Sequence, residues 1–314
     1  MCNVGDEWPP YRSMHIFIRW RPEYKCIAGP TGGLIGGSTR TRAVFGLRNP
    51  VAVVTGAASG IGLALCKAFA ARGARLVMAD VDFAAVKTRA RAVSTTFGID
   101  AFPVEVDVGS GASVERMASL TYARFGSVHF LCNNAGVTSP PSVSWETTLE
   151  DWEWTLGVDL WGAIHGIRSF IPRMLQGGEP GHVLNTASIA GLLPSTRSVP
   201  YTVAKYGLVA LSEVLLINLR ERGSEIGVSV ICPGPVGTNL RRNSNQLRPT
   251  GMGVEQKTSS RTPEISAEEV AVRALDGIEH RRFWILTHDS LKGQLERRLQ
   301  GMLRTDEVVA PVLG

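Results

Sequence analysis

Nowhere in the 314 residues does an apolar run approach the roughly 18 needed to cross a bilayer, so the sequence offers no transmembrane segment. Paired cysteines are lacking too: Cys2, Cys26, Cys66, Cys132 and Cys232 are odd in number and show no C-x-x-C spacing. Disulfide frameworks and zinc ribbons are thereby excluded. Cys132 and Cys232 lie in apolar runs and read as reduced core residues of a reducing, cytoplasmic compartment. The six histidines show no ligand spacing, and no metal is expected. Charge of one sign is scarce outside the leader. Residues 1–48 hold seven Arg or Lys against three acids, which leaves 26 bases and 25 acids for the remaining 266 residues. A body that close to neutral lacks the electrostatic footprint of a nucleic-acid binder.

What the chain does have is 44% hydrophobic residues, enough for one large core. Residues 1–48 show no sustained periodicity and include the glycine-rich run Gly29–Ser38, so they read as a loose N-terminal extension, with an Arg-rich transit peptide as the alternative. From Pro50 onward, short apolar runs alternate with longer amphipathic segments. The runs are 51–55, 74–79, 101–106, 128–132, 182–187, 228–232 and 283–286; helices are expected at 60–72, 82–97, 110–125, 148–176, 200–222 and 266–280. Strands that are apolar throughout and separated by helices imply a parallel sheet covered on both faces. The expected fold is α/β, a Rossmann-like doubly wound parallel sheet in a single domain over 49–290, followed by a tail or helix over 291–314.

The first strand runs into Thr55-Gly-Ala-Ala-Ser-Gly-Ile-Gly62 and then directly into a helix. Gly56, Gly60 and Gly62 allow a tight turn, and with Ser59 and Ile61 they would bring backbone amides and a helix N-terminus to a pyrophosphate. The spacing differs from G-x-G-x-x-G, which points to a different dinucleotide fold. Asp80 closes the second strand, where a carboxylate accepts hydrogen bonds from both ribose hydroxyls and repels a 2′-phosphate. No Arg or Lys lies between Gly56 and Gly62, so NAD is preferred to NADP. Asp107 and Val108 follow the third strand and Asn133-Asn134-Ala135-Gly136 the fourth, at the carboxyl edge where open parallel sheets bind ligands.

Tyr201 and Lys205 stand four positions apart in a helical segment, stacked on one face. A free tyrosine titrates near pH 10, so acting as a base at neutral pH requires about 4 kcal/mol of help. An ammonium near 4 Å at an effective dielectric of 20 supplies about that much. The plain alternative is an exposed surface pair; the glycine turn and Asp80 argue against it.

With these motifs assembled, the chain resembles the short-chain dehydrogenase/reductase family in its single-domain, NAD(P)-dependent form over about residues 48–290. The resemblance rests on the glycine loop, Asn133 to Gly136, Ser188 thirteen positions before Tyr201, Tyr-x-x-x-Lys, and Pro233-Gly234 after the sixth strand. It implies that Tyr201 is the acid/base, that Lys205 lowers its pKa and holds the nicotinamide ribose, and that Ser188 steadies the substrate oxygen. It also implies that Asp107 and Val108 hold the adenine, that Asn134, Ala135 and Gly136 border the adenosine ribose, and that the turn from Pro233 through Gly234 and Val236 to Thr238 meets the nicotinamide amide. One position departs from the family pattern. Where the family has an Asn that completes a proton relay, this chain has Asp159, which either preserves the relay or alters the Tyr201 pKa, with a sign that depends on distances.

The function implied is hydride transfer between NAD(H) and a secondary alcohol or ketone. The alternatives are an NADPH-dependent 3-oxoacyl-type ketone reductase and a non-catalytic NAD(H)-binding protein. Leu192, Leu193, Val236 and Leu240 would make an apolar substrate pocket, which favours a hydrophobic substrate. Between Thr238 and Glu264 a polar, base-rich segment reads as a substrate lid, its bases either solvated or facing an acidic substrate. Trp145, Trp152, Trp154 and Trp161 read as packing or interface residues, because the fourth helix resembles one that the family uses in dimer contacts; a homodimer or homotetramer is expected.

Overall fold

Val51–Thr55 (β1), Phe130–Asn133 (β4), His182–Thr186 (β5) and Gly227–Cys232 (β6) are buried at every position, as strands covered on both faces require. With Arg75–Asp80 (β2), Ala101–Glu105 (β3) and Trp284–Leu286 (β7) they form one seven-stranded sheet in the order β3-β2-β1-β4-β5-β6-β7, every pair parallel. This is a computed structural model, and its described residues are 46–195, 198–249 and 262–304. The expected extension therefore lies, apart from residues 46–48, outside the described residues, as do the lid positions 250–261 and the end of the chain from 305.

Six helices fall where the periodicity expects them: Gly60–Ala70 (α1), Phe83–Phe97 (α2), Gly111–Phe125 (α3), the fourth described below, Val199–Glu221 (α6) and Ala267–Glu279 (α8). Side-chain caps fix several starts. Asp82 accepts the Ala85 N–H at 2.9 Å, and Ser266 accepts the Glu269 N–H at 3.0 Å, half of the expected capping box. On one face of the sheet α1, α2 and α8 bury Leu65, Phe69, Val86, Val270 and Leu275; on the other, α3, α6 and the second part of the fourth helix bury Met117, Phe170 and Leu219. The order reverses between β1 and β4, so β2 and β3 lie to one side and β5 to β7 to the other. That opens a crevice at the carboxyl edge of the central strands.

Three elements differ from expectation. The fourth helix is not uniform: Leu149–Leu156 (α4) passes through a π turn, Gly157–Trp161, into Gly162–Gly177 (α5). The break coincides with two glycines that hold a helix weakly, and Gly162 cannot carry a side chain, since a Cβ would lie 2.8 Å from Val108 Cγ2. The lid segment contains a helix, Leu240–Leu247 (α7), which its sequence hides because LRRNSNQL has no apolar stripe. Of the segment 291–314 expected as a tail or helix, the described part forms Lys292–Arg304 (α9). Finally, α6 is long and apolar enough on average to cross a membrane, although polar residues interrupt its apolar stretches; its Lys205, Leu208 and Ser212 face is buried against the sheet.

Candidate active site

The glycine turn is bound to its neighbours by backbone. Ala57 N–H donates to Ala79 O at 3.0 Å, and Gly56 and Gly60 adopt φ of +68° and +51°, the left-handed region where a side chain is strained. A Cβ on Gly62 would fall 2.1 Å from Gly56 O, so the entry into α1 closes only with glycine there. Ser59, the N-cap of α1, makes no side-chain cap bond, and the first turn holds no acid. The amides at this helix start thus face the crevice without a side-chain anion, in contrast to α2 and α8. Asp80 sits beside them: its Oδ2 accepts the Ala58 N–H at 2.9 Å and its Oδ1 the Asp82 N–H at 3.1 Å. Burial raises the Asp80 carboxyl above its usual range, while these amides pull it back.

Asn134 ties the fourth strand to the first. Its amide donates to Thr55 O at 2.9 Å, while its carbonyl accepts from Thr186 Oγ1 at 3.1 Å. Ala135 N–H donates to Thr55 Oγ1, and a Cβ on Gly136 would lie 3.4 Å from Lys205 Nζ, so this loop lies against the lysine. Asn133, part of the same motif, is buried and points elsewhere, donating to Asn185 Oδ1 at 2.9 Å, while Asn185 Nδ2 donates to Ser212 Oγ on α6. At the end of β3, Gly109 N–H caps Asp107 Oδ1 at 2.9 Å and Val108 packs on the start of α5. Thr238 stands next to Gly60, where a Cβ would meet its Cγ2 at 3.3 Å, and Gly234 N–H donates to His288 Nδ1 at 3.2 Å, with Val236 bridged to Ile265. The predicted cofactor residues therefore gather along one edge of the sheet. His288, which holds the Pro233-Gly234 turn, carried no signal in the sequence because its partners are distant.

Ser188 begins the short turn Ile189–Gly191 after β5, its hydroxyl accepting the Ala190 N–H at 3.1 Å. A Cβ on Gly191 would lie 2.6 Å from Lys205 O, so this glycine lets the turn press on α6 and brings Ser188 near Tyr201, close enough to favour its phenolate. Lys205 Nζ lies 5.3 Å from the centre of the Tyr201 ring and donates to Thr186 O at 3.0 Å. Asp159 reaches the same group from the π turn: its Oδ1 accepts the Val137 N–H at 2.7 Å and its Oδ2 lies 3.2 Å from Lys205 Nζ as an ion pair, without the alignment of a formed hydrogen bond. Asp159 and Lys205 are 2% and 3% exposed, so neither charge is screened by solvent.

Burial raises the Tyr201 hydroxyl above its ordinary value; Lys205 and Ser188 pull it down, and Asp159 pushes it up again. Lys205 thus pulls the tyrosine down as expected, and the sign left open for Asp159 is upward, on the same side as desolvation, which together outweigh the lysine. Burial disfavours the Lys205 ammonium, but Asp159 and Tyr201 more than reverse that and hold it above the usual lysine value. Asp159 is raised by burial, opposed by Lys205 and the Val137 amide. Its contacts, an N–H donor on one oxygen and an ammonium on the other, are those of a carboxylate.

The apolar pocket is only partly as expected. Leu193 is 1% exposed and belongs to a small core with Ile189 and Leu291, whereas Val236 and Leu240 keep some exposure beside the crevice. α7 lies across the crevice, with Asn243 donating to Ser59 Oγ at 3.2 Å and Thr138 N–H to Ser244 Oγ at 2.9 Å. Arg248 pairs with the buried Asp151 through two contacts, at 2.7 and 2.5 Å, which commits it to the protein rather than to an acidic substrate.

Comparison with known proteins agrees with this arrangement. Residues 50–249 match the family model described as short chain dehydrogenase. The chain is 35% identical over 259 residues to a 1-deoxy-11-beta-hydroxypentalenate dehydrogenase of Streptomyces exfoliatus, covering 82% of this chain and 90% of that one. It is 33% identical over 276 residues to a C alpha-dehydrogenase of Sphingobium sp. (strain NBRC 103272 / SYK-6), covering 84% and 88%. A short chain dehydrogenase/reductase from Burkholderia phymatum, solved in complex with NAD, superposes with a TM-score of 0.78 at 34% identity, covering 84% of this chain and 98% of that one. The sheet order, the crevice at its reversal and these matches together make the chain an oxidoreductase of the short-chain dehydrogenase/reductase family.

Proposed function

We propose that the protein interconverts a hydrophobic secondary alcohol and its ketone with NAD(H), using Tyr201 as the acid/base. The observation that carries this reading is the Ser188, Tyr201 and Lys205 cluster at the carboxyl edge of the sheet, with Lys205 Nζ 5.3 Å from the tyrosine ring. Two relatives are named as dehydrogenases, one for a hydroxylated compound, and a solved relative binds NAD.

The chain fits such a cofactor. The uncapped start of α1 would offer amides to a pyrophosphate, Asp80 would accept from an adenosine ribose, and the Asn134 to Gly136 loop borders the crevice beside Lys205. When bound, the nicotinamide supplies the hydride acceptor or donor, chemistry that no side chain provides. Lys205, with one hydrogen engaged by Thr186 O and its charge facing Asp159, retains a donor for a ribose hydroxyl. In oxidation the Tyr201 phenolate takes the proton of the substrate hydroxyl, and the Ser188 hydroxyl holds the oxygen as its carbon becomes a carbonyl. In reduction the protonated Tyr201 returns that proton. α7 and the Arg248–Asp151 pair cover the crevice and restrict water.

The decisive experiment is a panel of steroid, terpenoid and cyclic secondary alcohols, each offered with NAD and with NADP and followed at the nicotinamide absorbance. NAD-dependent turnover of at least one member is expected. Equal use of NADP would contradict the role given to Asp80. Tight cofactor binding without turnover across the panel would replace the enzyme reading with that of a binding protein.

A further inference from the structure

Asp159 is a buried carboxylate on a helix that bulges where it stands. The π turn Gly157–Trp161 widens the backbone at this residue, and Asp159 is its one buried member. Its two oxygens connect separate elements: Oδ1 takes the N–H of Val137, next to the Gly136 that borders Lys205, and Oδ2 faces the Lys205 ammonium at 3.2 Å. We propose that Asp159 is a positioning residue for proton transfer, its carboxylate clamping Lys205 from the π turn and partly neutralising the ammonium that faces Tyr201. The proposal deepens the function given above and rests on it.

Four groups face Tyr201 from the elements around it: Lys205 on its own helix, Asp159 on the π turn, Ser188 after β5 and Cys232 at the end of β6. Lys205 and Ser188 favour the phenolate, while burial, Asp159 and the buried Cys232 favour the phenol. A neutral residue of the same shape at 159 would leave the ammonium unopposed. With the carboxylate present, the tyrosine keeps its proton to higher pH. It therefore donates readily to a ketone near neutrality and accepts from an alcohol only under more alkaline conditions. The same carboxylate holds Lys205 charged despite its burial, so the clamp strengthens the ribose donor while tempering its pull on the tyrosine.

Tyrosinate absorbance, titrated against pH in the cofactor-free protein and in Asp159→Asn, each corrected by the same protein carrying Tyr201→Phe, isolates the Tyr201 transition. The transition is expected about one pH unit lower in Asp159→Asn than in the parent. An unmoved transition, or one moved upward, would overturn the proposal. This measurement needs neither substrate nor turnover, so it can fail while an alcohol is still oxidised, or hold where none is. Should Asp159→Asn not fold, carbon-13 labelling of aspartate side chains in the parent protein gives the second reading, with Asp159 assigned through its contact with the Val137 amide. A resonance in the ionised position from about pH 6 to about pH 9 is expected; a protonated one would overturn the clamp.

Discussion

Asp80 accepts two backbone N–H bonds, from Ala58 and Asp82, which fix its carboxylate at the mouth of the glycine turn rather than leave it a loose helix cap. A second phosphate at that place would meet a fixed negative charge with no base in the turn to offset it. Asp80→Ala is expected to lower the NAD to NADP ratio of kcat/KM by about tenfold or more, about 1.4 kcal/mol; steady-state kinetics with both cofactors reads this directly, and an unchanged ratio would remove Asp80 from cofactor choice. Ser188, Tyr201, Lys205 and Asp80 were legible in the sequence because their relations are short-range spacings or strand ends. The effect of Asp159 was not. Its sign depends on a through-space contact 46 positions away, closed by a π turn that no periodicity announces. The pull of burial on Tyr201 was hidden for the same reason, since desolvation belongs to the assembled site.

Among the elements, α7 shows best what patterning misses. Its residues are polar on nearly every side, so nothing in them resembles a packed helix, and it is held by three polar ties, to Ser59, Thr138 and Asp151. The last involves side chains only 14% and 6% exposed for Arg248 and Asp151. Arg248→Gln leaves Asp151 buried without its counter-charge, a change of the kind that costs about 3–5 kcal/mol. Lower unfolding stability in denaturant, together with faster hydrogen exchange across 240–247, is the expected result; stability and exchange equal to those of the parent would show that the pair does not hold the helix. The glycine turn was legible to its last residue, because each of its glycines answers a backbone demand.

At the scale of the molecule, the alternation of apolar runs and helices sufficed for a doubly wound sheet, whereas the order of the strands is set by pairings between distant segments and came from the structure alone. The assembled sheet also buries groups whose ionisation the sequence leaves undetermined. His182 on β5 shares a 2.7 Å hydrogen bond with Ser229, and burial, aided by Arg281, lowers its pKa to about 3. The unfolded chain takes up a proton near pH 6.5 and the folded one only near 3, so this contribution to stability is complete above about 6.5 and is lost as pH falls toward 3, with a slope of about 1.4 kcal/mol per pH unit. Unfolding free energies between about pH 6 and about pH 4 are expected to fall less steeply in His182→Asn than in the parent; equal slopes would assign the acid sensitivity elsewhere. The account as a whole depends on Tyr201. The most direct measurement is kcat of Tyr201→Phe with the best alcohol of the panel, alongside NADH affinity by fluorescence. A loss of about 10² to 10⁴-fold in kcat at nearly unchanged affinity is the predicted result, and a Phe variant that turns over at the parent rate would contradict it.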